Sequence, residues 1–91
     1  MSALTRQSVP RVSSGFRLQF EPAQECHVLL YPEGMVKLNQ AAGEIMTRCD
    51  GKRSVAEVVT ELEKAFSTTG LEADVIGFMN VAKEQLWLCW E

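Results

Sequence analysis

The hydrophobic period of this chain changes at Leu38, and that change divides its 91 residues into a strand-forming part and a helix-forming part. Before it, Phe16, Leu18 and Phe20 alternate with Arg17, Gln19 and Glu21. A period of two turns one face of a strand toward a core. Residues 21–25, Glu-Pro-Ala-Gln-Glu, read as a loop, and Cys26 to Tyr31 form a β-rich run. In Tyr31-Pro32-Glu33-Gly34 the proline presets φ for a turn. The glycine can take φ > 0, as a type I turn with a following bulge requires. Met35 to Leu38 then return as a third strand, giving an antiparallel meander.

From Leu38 the period is 3.6. Leu38, Ala41, Ala42, Ile45, Met46 and Cys49 share one helical face. Asn39 suits an N-cap, and Asp50-Gly51 a stop. Ser54-Val55-Ala56-Glu57 is a capping box. It opens a second helix with Val55, Val58, Val59, Leu62, Ala65 and Phe66 on one face, closed by residues 67–70. A third helix is expected over 71–86, with Leu71, Val75, Phe78, Met79, Ala82 and Leu86 as its stripe. Three strands followed by three helices make an α+β fold. The short link between the second and third helices makes it winged helix-turn-helix-like, with the sheet as wing.

The chain suffices for one domain, and 46% apolar with 23% charged residues is ordinary globular composition. Residues 1–15 read as a flexible basic N-terminal arm and 16–91 as the single domain. Residues 1–20 hold Arg6, Arg11 and Arg17 and no acid, a charge of +3; the remainder carries −6, for a net −3. The arm is either solvated or docked on an acidic surface. No apolar run reaches the roughly 18 residues of a membrane span, and MSALTRQSVPRVSSG has no signal-like apolar stretch, so a cytoplasmic protein is expected.

Catalytic chemistry is not expected. Cys26, Cys49 and Cys89 are too scattered for a zinc site and read as reduced thiols. His27, the single histidine, neighbours Cys26 on a strand, so the two face opposite ways and make no dyad. No phosphate loop or nucleophile elbow is present, and neither cofactor nor metal is expected. A DNA-binding regulator is the alternative that the winged helix invites. The third helix, however, carries Glu72, Asp74, Lys83 and Glu84, which repel phosphates.

The third strand of a meander is an edge with unpaired backbone groups. It can serve as a rail for an extended peptide, and the expectation includes that replacing Val36 by proline removes a rail N–H. About four backbone bonds at ~1 kcal/mol each do not cover the roughly 4–15 kcal/mol lost on association. Apolar anchors at ~1.5–3 kcal/mol each are needed. Val75, Phe78, Met79 and Ala82 are the candidates if the third helix lies beside that edge; otherwise their stripe is simply core.

The string from His27 to Asn39, HVLLYPEGMVKLN, closely resembles the hallmark of the PqqD family, small proteins of pyrroloquinoline quinone (PQQ) biosynthesis. Phe16 to Glu21, Ala42 with Ile45, Cys49-Asp50-Gly51, Ser54-Val55, Asp74-Val75 with Phe78, and Trp87-Leu88 also match. The resemblance covers about residues 10–90. Leu86 departs from it, standing where the family often has glycine. The resemblance implies a peptide chaperone that binds the leader of the precursor peptide PqqA by strand addition. It would present that peptide to PqqE, a radical S-adenosylmethionine enzyme that cross-links a glutamate and a tyrosine. The implied rail is Met35, Val36, Lys37 and Leu38, and the implied groove Asp74, Val75 and Phe78, with Met79 and Ala82 further along the stripe. A homodimer is counted among the partners, because so small a core gains from one. A structural dimer using Trp87, Trp90 and the arm is a third reading.

Overall fold

The computed structural model describes residues 3–91; Met1 and Ser2, the start of the expected arm, lie outside the described residues. The elements are β1 (Arg11–Val12), β2 (Arg17–Glu21), β3 (Cys26–Tyr31), β4 (Gly34–Lys37), α1 (Gln40–Arg48), α2 (Val55–Ala65), α3 (Glu72–Glu84) and β5 (Leu88–Cys89). β2, β3 and β4 form the expected antiparallel meander in that order, and β1 and β5 pair in a separate two-stranded sheet. The α+β, winged-helix-like arrangement is present.

One face of the meander packs on the helices through Leu29 and Leu38, with Leu18 and Val36 beside them. The approach of α1 to β3 is close: a Cβ added to Gly43 would lie 3.0 Å from His27 Nδ1. Gly43 is accordingly buried, whereas Ala41, expected on the stripe, is exposed. The β3–β4 turn is also tighter than expected. Gly34 pairs directly with Tyr31 and its φ is not positive, so no bulge follows the turn.

The helix ends follow their sequence signals. Asn39 Oδ1 accepts from Ala42 N at 2.8 Å. In the Ser54 box, Glu57 N donates to Ser54 Oγ (3.2 Å) and Ser54 N to Glu57 Oε1 (2.8 Å). α3 stops short of Leu86. Leu86 N donates to Lys83 O (2.9 Å) and Trp87 N to Ala82 O (2.8 Å), with Leu86 at φ 68°. These two bonds and the left-handed residue make a Schellman motif. The core that the helices face includes Met46, Val55, Val58, Leu62, Met79 and Leu88.

The flexible arm is corrected by the structure. Val55 N donates to Ser8 O (2.8 Å), Ala56 N to Arg6 O (3.0 Å) and Gly51 N to Pro10 O (3.0 Å). β1 then pairs with β5, and Ser13 N donates to Trp87 O (2.9 Å). The reason is physical. The first N–H groups of a helix have no partner inside it. The box satisfies that of Glu57, and carbonyls of the N-terminal segment satisfy those of Val55 and Ala56. Arg6 Nε lies 3.3 Å from Glu72 Oε1, so part of the basic charge rests on the chain's own acidic body. The segment from Arg6 to Ser13 is thus hydrogen-bonded to α2, to Gly51 and to the C-terminal residues.

Candidate functional site

The sheet leaves β4 open, and the ladder decides which of its backbone groups are free. Leu38 N donates to His27 O at 3.0 Å. Antiparallel pairs alternate between bonded and non-bonded, so Leu29/Val36 and Tyr31/Gly34 are the next bonded pairs in the register. The N–H and C=O of Val36 thus face β3. Those of Met35 and Lys37 point off the sheet, and among the described residues no backbone group meets them. The open edge of β4 therefore presents two donors and two acceptors, on Met35 and Lys37. Val36 and Leu38 bond within the ladder, so proline at Val36 would remove a bond to β3 rather than an outward N–H.

Side chains divide in the same way. Met35 and Lys37 are exposed, Val36 is half-buried toward the helices, and Leu38 is core. On α3, Val75, Met79 and Ala82 are 2%, 0% and 0% exposed and pack in the core, and Val75 also lines a pocket. The stripe turned inward because α3 packs against α2 and β5. Phe78 is half-buried against the same core as Val36, and Asp74 is exposed.

The structure opens a pocket that takes in Asp74 and Val75 of the expected groove. An open pocket of about 290 Å³ lies between the start of α1, the end of α2 and the start of α3. Ala41, Ile45, Leu62, Phe66, Leu71 and Val75 supply apolar lining; Gln40, Glu44, Thr68 and Asp74 supply polar groups. It begins at the first turn of α1, directly after β4. Ala41 and Phe66 were assigned to core stripes, yet both are exposed. A stripe wider than the core needs and the implied groove residues Asp74 and Val75 are the sequence signals for this pocket.

Other titratable groups lie elsewhere. Burial, then the Asp50 carboxylate, pushes the Cys49 thiol up to about 12. Asp50 itself is held below the usual carboxylate range, first by the Lys52 N–H. His27 packs between the Phe20 ring (5.2 Å) and Gly43, with Thr47 Oγ1 3.4 Å from Nε2. Among the described residues no cluster of three or more His, Cys, Asp or Glu is placed to hold a metal, and no helix is long and apolar enough to cross a membrane. Lys83, the one base of α3, lies over the Trp90 ring at 4.2 Å, leaving Asp74, Asn80 and Glu84 exposed on that helix.

Residues 26–88, from the start of β3 to the start of β5, match the family model described as coenzyme PQQ synthesis protein D (PqqD). The chain belongs to the PqqD family. It is 53% identical to the PqqA binding protein of Pseudomonas aeruginosa and 51% to that of Azotobacter vinelandii, each over 97% of both chains. Among solved structures it is similar to the solution structure of the PqqD truncation of Methylobacterium extorquens PqqCD. That protein is described as a functional, stand-alone recognition element for ribosomally synthesized and post-translationally modified peptides. The TM-score is 0.78 and the identity 27%, over 96% of this chain and 95% of that one. The crystal structure of PqqD from Xanthomonas campestris aligns with TM-score 0.53 and 32% identity over 91% of this chain and 94% of that one. PqqD membership agrees with the hallmark string, which supplies β3, the turn, β4 and the Asn39 cap in one stretch.

Proposed function

We propose that this chain is a non-catalytic peptide chaperone of PQQ biosynthesis. It binds the leader of the precursor peptide PqqA as a strand added to β4 and delivers it to the radical S-adenosylmethionine enzyme PqqE in the cytoplasm. The observation that carries this reading is the free edge of Met35 and Lys37 beside an open apolar pocket. Relatives named PqqA binding protein and the recognition-element structure support it. The energetics fit: four backbone bonds supply about 4 kcal/mol, and apolar side chains set against Val36, Phe78 and the pocket add the remainder needed for association.

The test is a titration of the isotope-labelled protein with the PqqA leader. Amide signals of Met35 and Lys37 are expected to shift most along β4. Lys37→Pro deletes an outward N–H that no strand of the protein uses, a position where an edge tolerates proline. It is expected to weaken leader binding at least tenfold, about 1.4 kcal/mol, with the fold retained. Undiminished binding by a folded Lys37→Pro variant removes β4 as the rail. Delivery is read separately, as co-sedimentation of PqqE with the leader-loaded protein.

A further inference from the structure

The central strand is apolar on both of its faces, and the helices cover only one of them. Alternate residues of β3 point to opposite sides of the sheet. His27 lies against Gly43 of α1 and Leu29 belongs to the core, so Cys26, Val28 and Leu30 face the other way. An unbroken run such as Cys-His-Val-Leu-Leu-Tyr is the pattern of a strand buried on both faces; a strand with one wet face alternates. β2 does alternate, with Arg17 and Gln19 exposed on this outer face. The register sets Met35 of β4 beside Leu30, and Lys37 beside Val28. Val28 is 0% exposed yet stands outside the core cluster, Leu30 is half-buried, and Met35 is 47% exposed. These three make an apolar strip down the middle of the outer face.

The strip is flanked by positive charge. Arg17 stands on β2 in the row of Leu30 and Met35, and Lys37 on β4 in the row of Val28. Both are exposed, and neither makes an ion pair among the described residues. Their strands lie two spacings apart on either side of β3, about 10 Å. An α-helix with its side chains is about as wide, ~10–12 Å. Among the strand residues of this face the one acid is Glu21, at the far end beside Cys26, where it accepts from Ala23 N at 3.3 Å.

We infer that the outer face of the meander is a docking surface for an acidic amphipathic helix of a partner protein. The helix lies along β3 with its apolar stripe on Val28, Leu30 and Met35, and places a carboxylate on each flank, one for Arg17 and one for Lys37. It sits above the sheet, whereas a strand added to β4 lies in the plane of the sheet. The surface therefore stays open with or without a bound leader and stands independently of the leader reading.

The probe is a helical peptide of about 18 residues with leucines at i, i+3, i+4 and i+7 spacing and glutamates on both flanks. Its counterpart carries lysine in place of each glutamate. Both are titrated into the isotope-labelled full chain. The glutamate peptide is expected to bind with a dissociation constant on the order of 100 μM, as suits an interface below ~1,200 Å². The methyl signals of Val28, Leu30 and Met35 are expected to shift most. The lysine peptide is expected to bind at least about tenfold more weakly in roughly 50 mM salt, where exposed charges are little screened. The Arg17→Glu/Lys37→Glu double variant is expected to invert that preference, with circular dichroism checking that it is folded. Arg17→Glu alone lies away from the β4 edge; it is expected to weaken the glutamate peptide about threefold and to leave leader affinity unchanged. Largest shifts elsewhere, such as at the α1–α3 pocket, overturn the inference, as does a failure to bind. Equal affinity for the two peptides overturns it too, as does a preference that the double variant retains. Signals of this face that move with protein concentration alone put a second copy there and also overturn it.

Discussion

Leu86 shows how a single residue can sit against its own preference. Its φ of 68° closes the Schellman motif of α3, and its side chain is 69% exposed. A left-handed L-residue costs roughly 1–2 kcal/mol, part of which a glycine returns to the unfolded chain as entropy. Leu86→Gly is expected to stabilise the fold by about 0.5–1 kcal/mol, a rise of several degrees in thermal midpoint; an unchanged or lower midpoint contradicts it. Gly43 is the opposite case, a glycine required by space. Gly43→Ala drives a Cβ to 3.0 Å from His27 Nδ1, and the expected loss is about 1–3 kcal/mol in urea unfolding. Cys49 gives a pH-dependent prediction. Its thiol rises from near 9 to about 12, because burial disfavours the thiolate. The folded state holds the proton longer, so this contribution is complete below pH 9 and is lost as pH rises through 12. In the native protein Cys49 is expected to resist alkylation while Cys26 and Cys89, both partly exposed, react; equal rates contradict this. The Leu86 departure was visible in the sequence. The need for glycine at 43 was not, since it depends on which strand crosses α1.

At the scale of elements, period and caps were legible because they are local. The alternation in β2 and the box at Ser54 rest on neighbours one to four residues away, and both stand where the pattern placed them. What local patterns do not carry is the partner of each face. Of the α3 stripe, Met79 and Ala82 are core enclosed with α2 and β5, whereas Val75 is core that also lines the pocket. The rail shows the same limit at finer grain. Val36→Pro is expected to destabilise the sheet by about 1 kcal/mol or more through the lost bond to Leu29, whereas Lys37→Pro spares the ladder. Comparing the urea midpoints of the two variants checks the assignment, and equal midpoints contradict it.

For the whole molecule, the N-terminal segment changes the reading most. Its carbonyls cap α2, its β1 strand joins the C-terminal β5, and Trp90 is buried beneath Lys83. The arm and Trp90, which a tail-mediated dimer would use, are spent inside the chain. Removing residues 1–10 is expected to destabilise the fold by about 2 kcal/mol, since two helix N–H groups lose acceptors; unchanged urea unfolding contradicts this. By itself the sequence determined the order of strands and helices, the caps, the charge division and the family, because these reside in spacing and in short contiguous strings. Only the tertiary structure decided that the segment before residue 16 bonds to α2 and β5, that Met35 and Lys37 rather than Val36 and Leu38 hold the outward groups of the β4 edge, and that Ala41 and Phe66 line a pocket rather than the core. Each of these depends on which distant groups meet across the fold, and hydrogen-bond direction and burial exist only once those groups are in place.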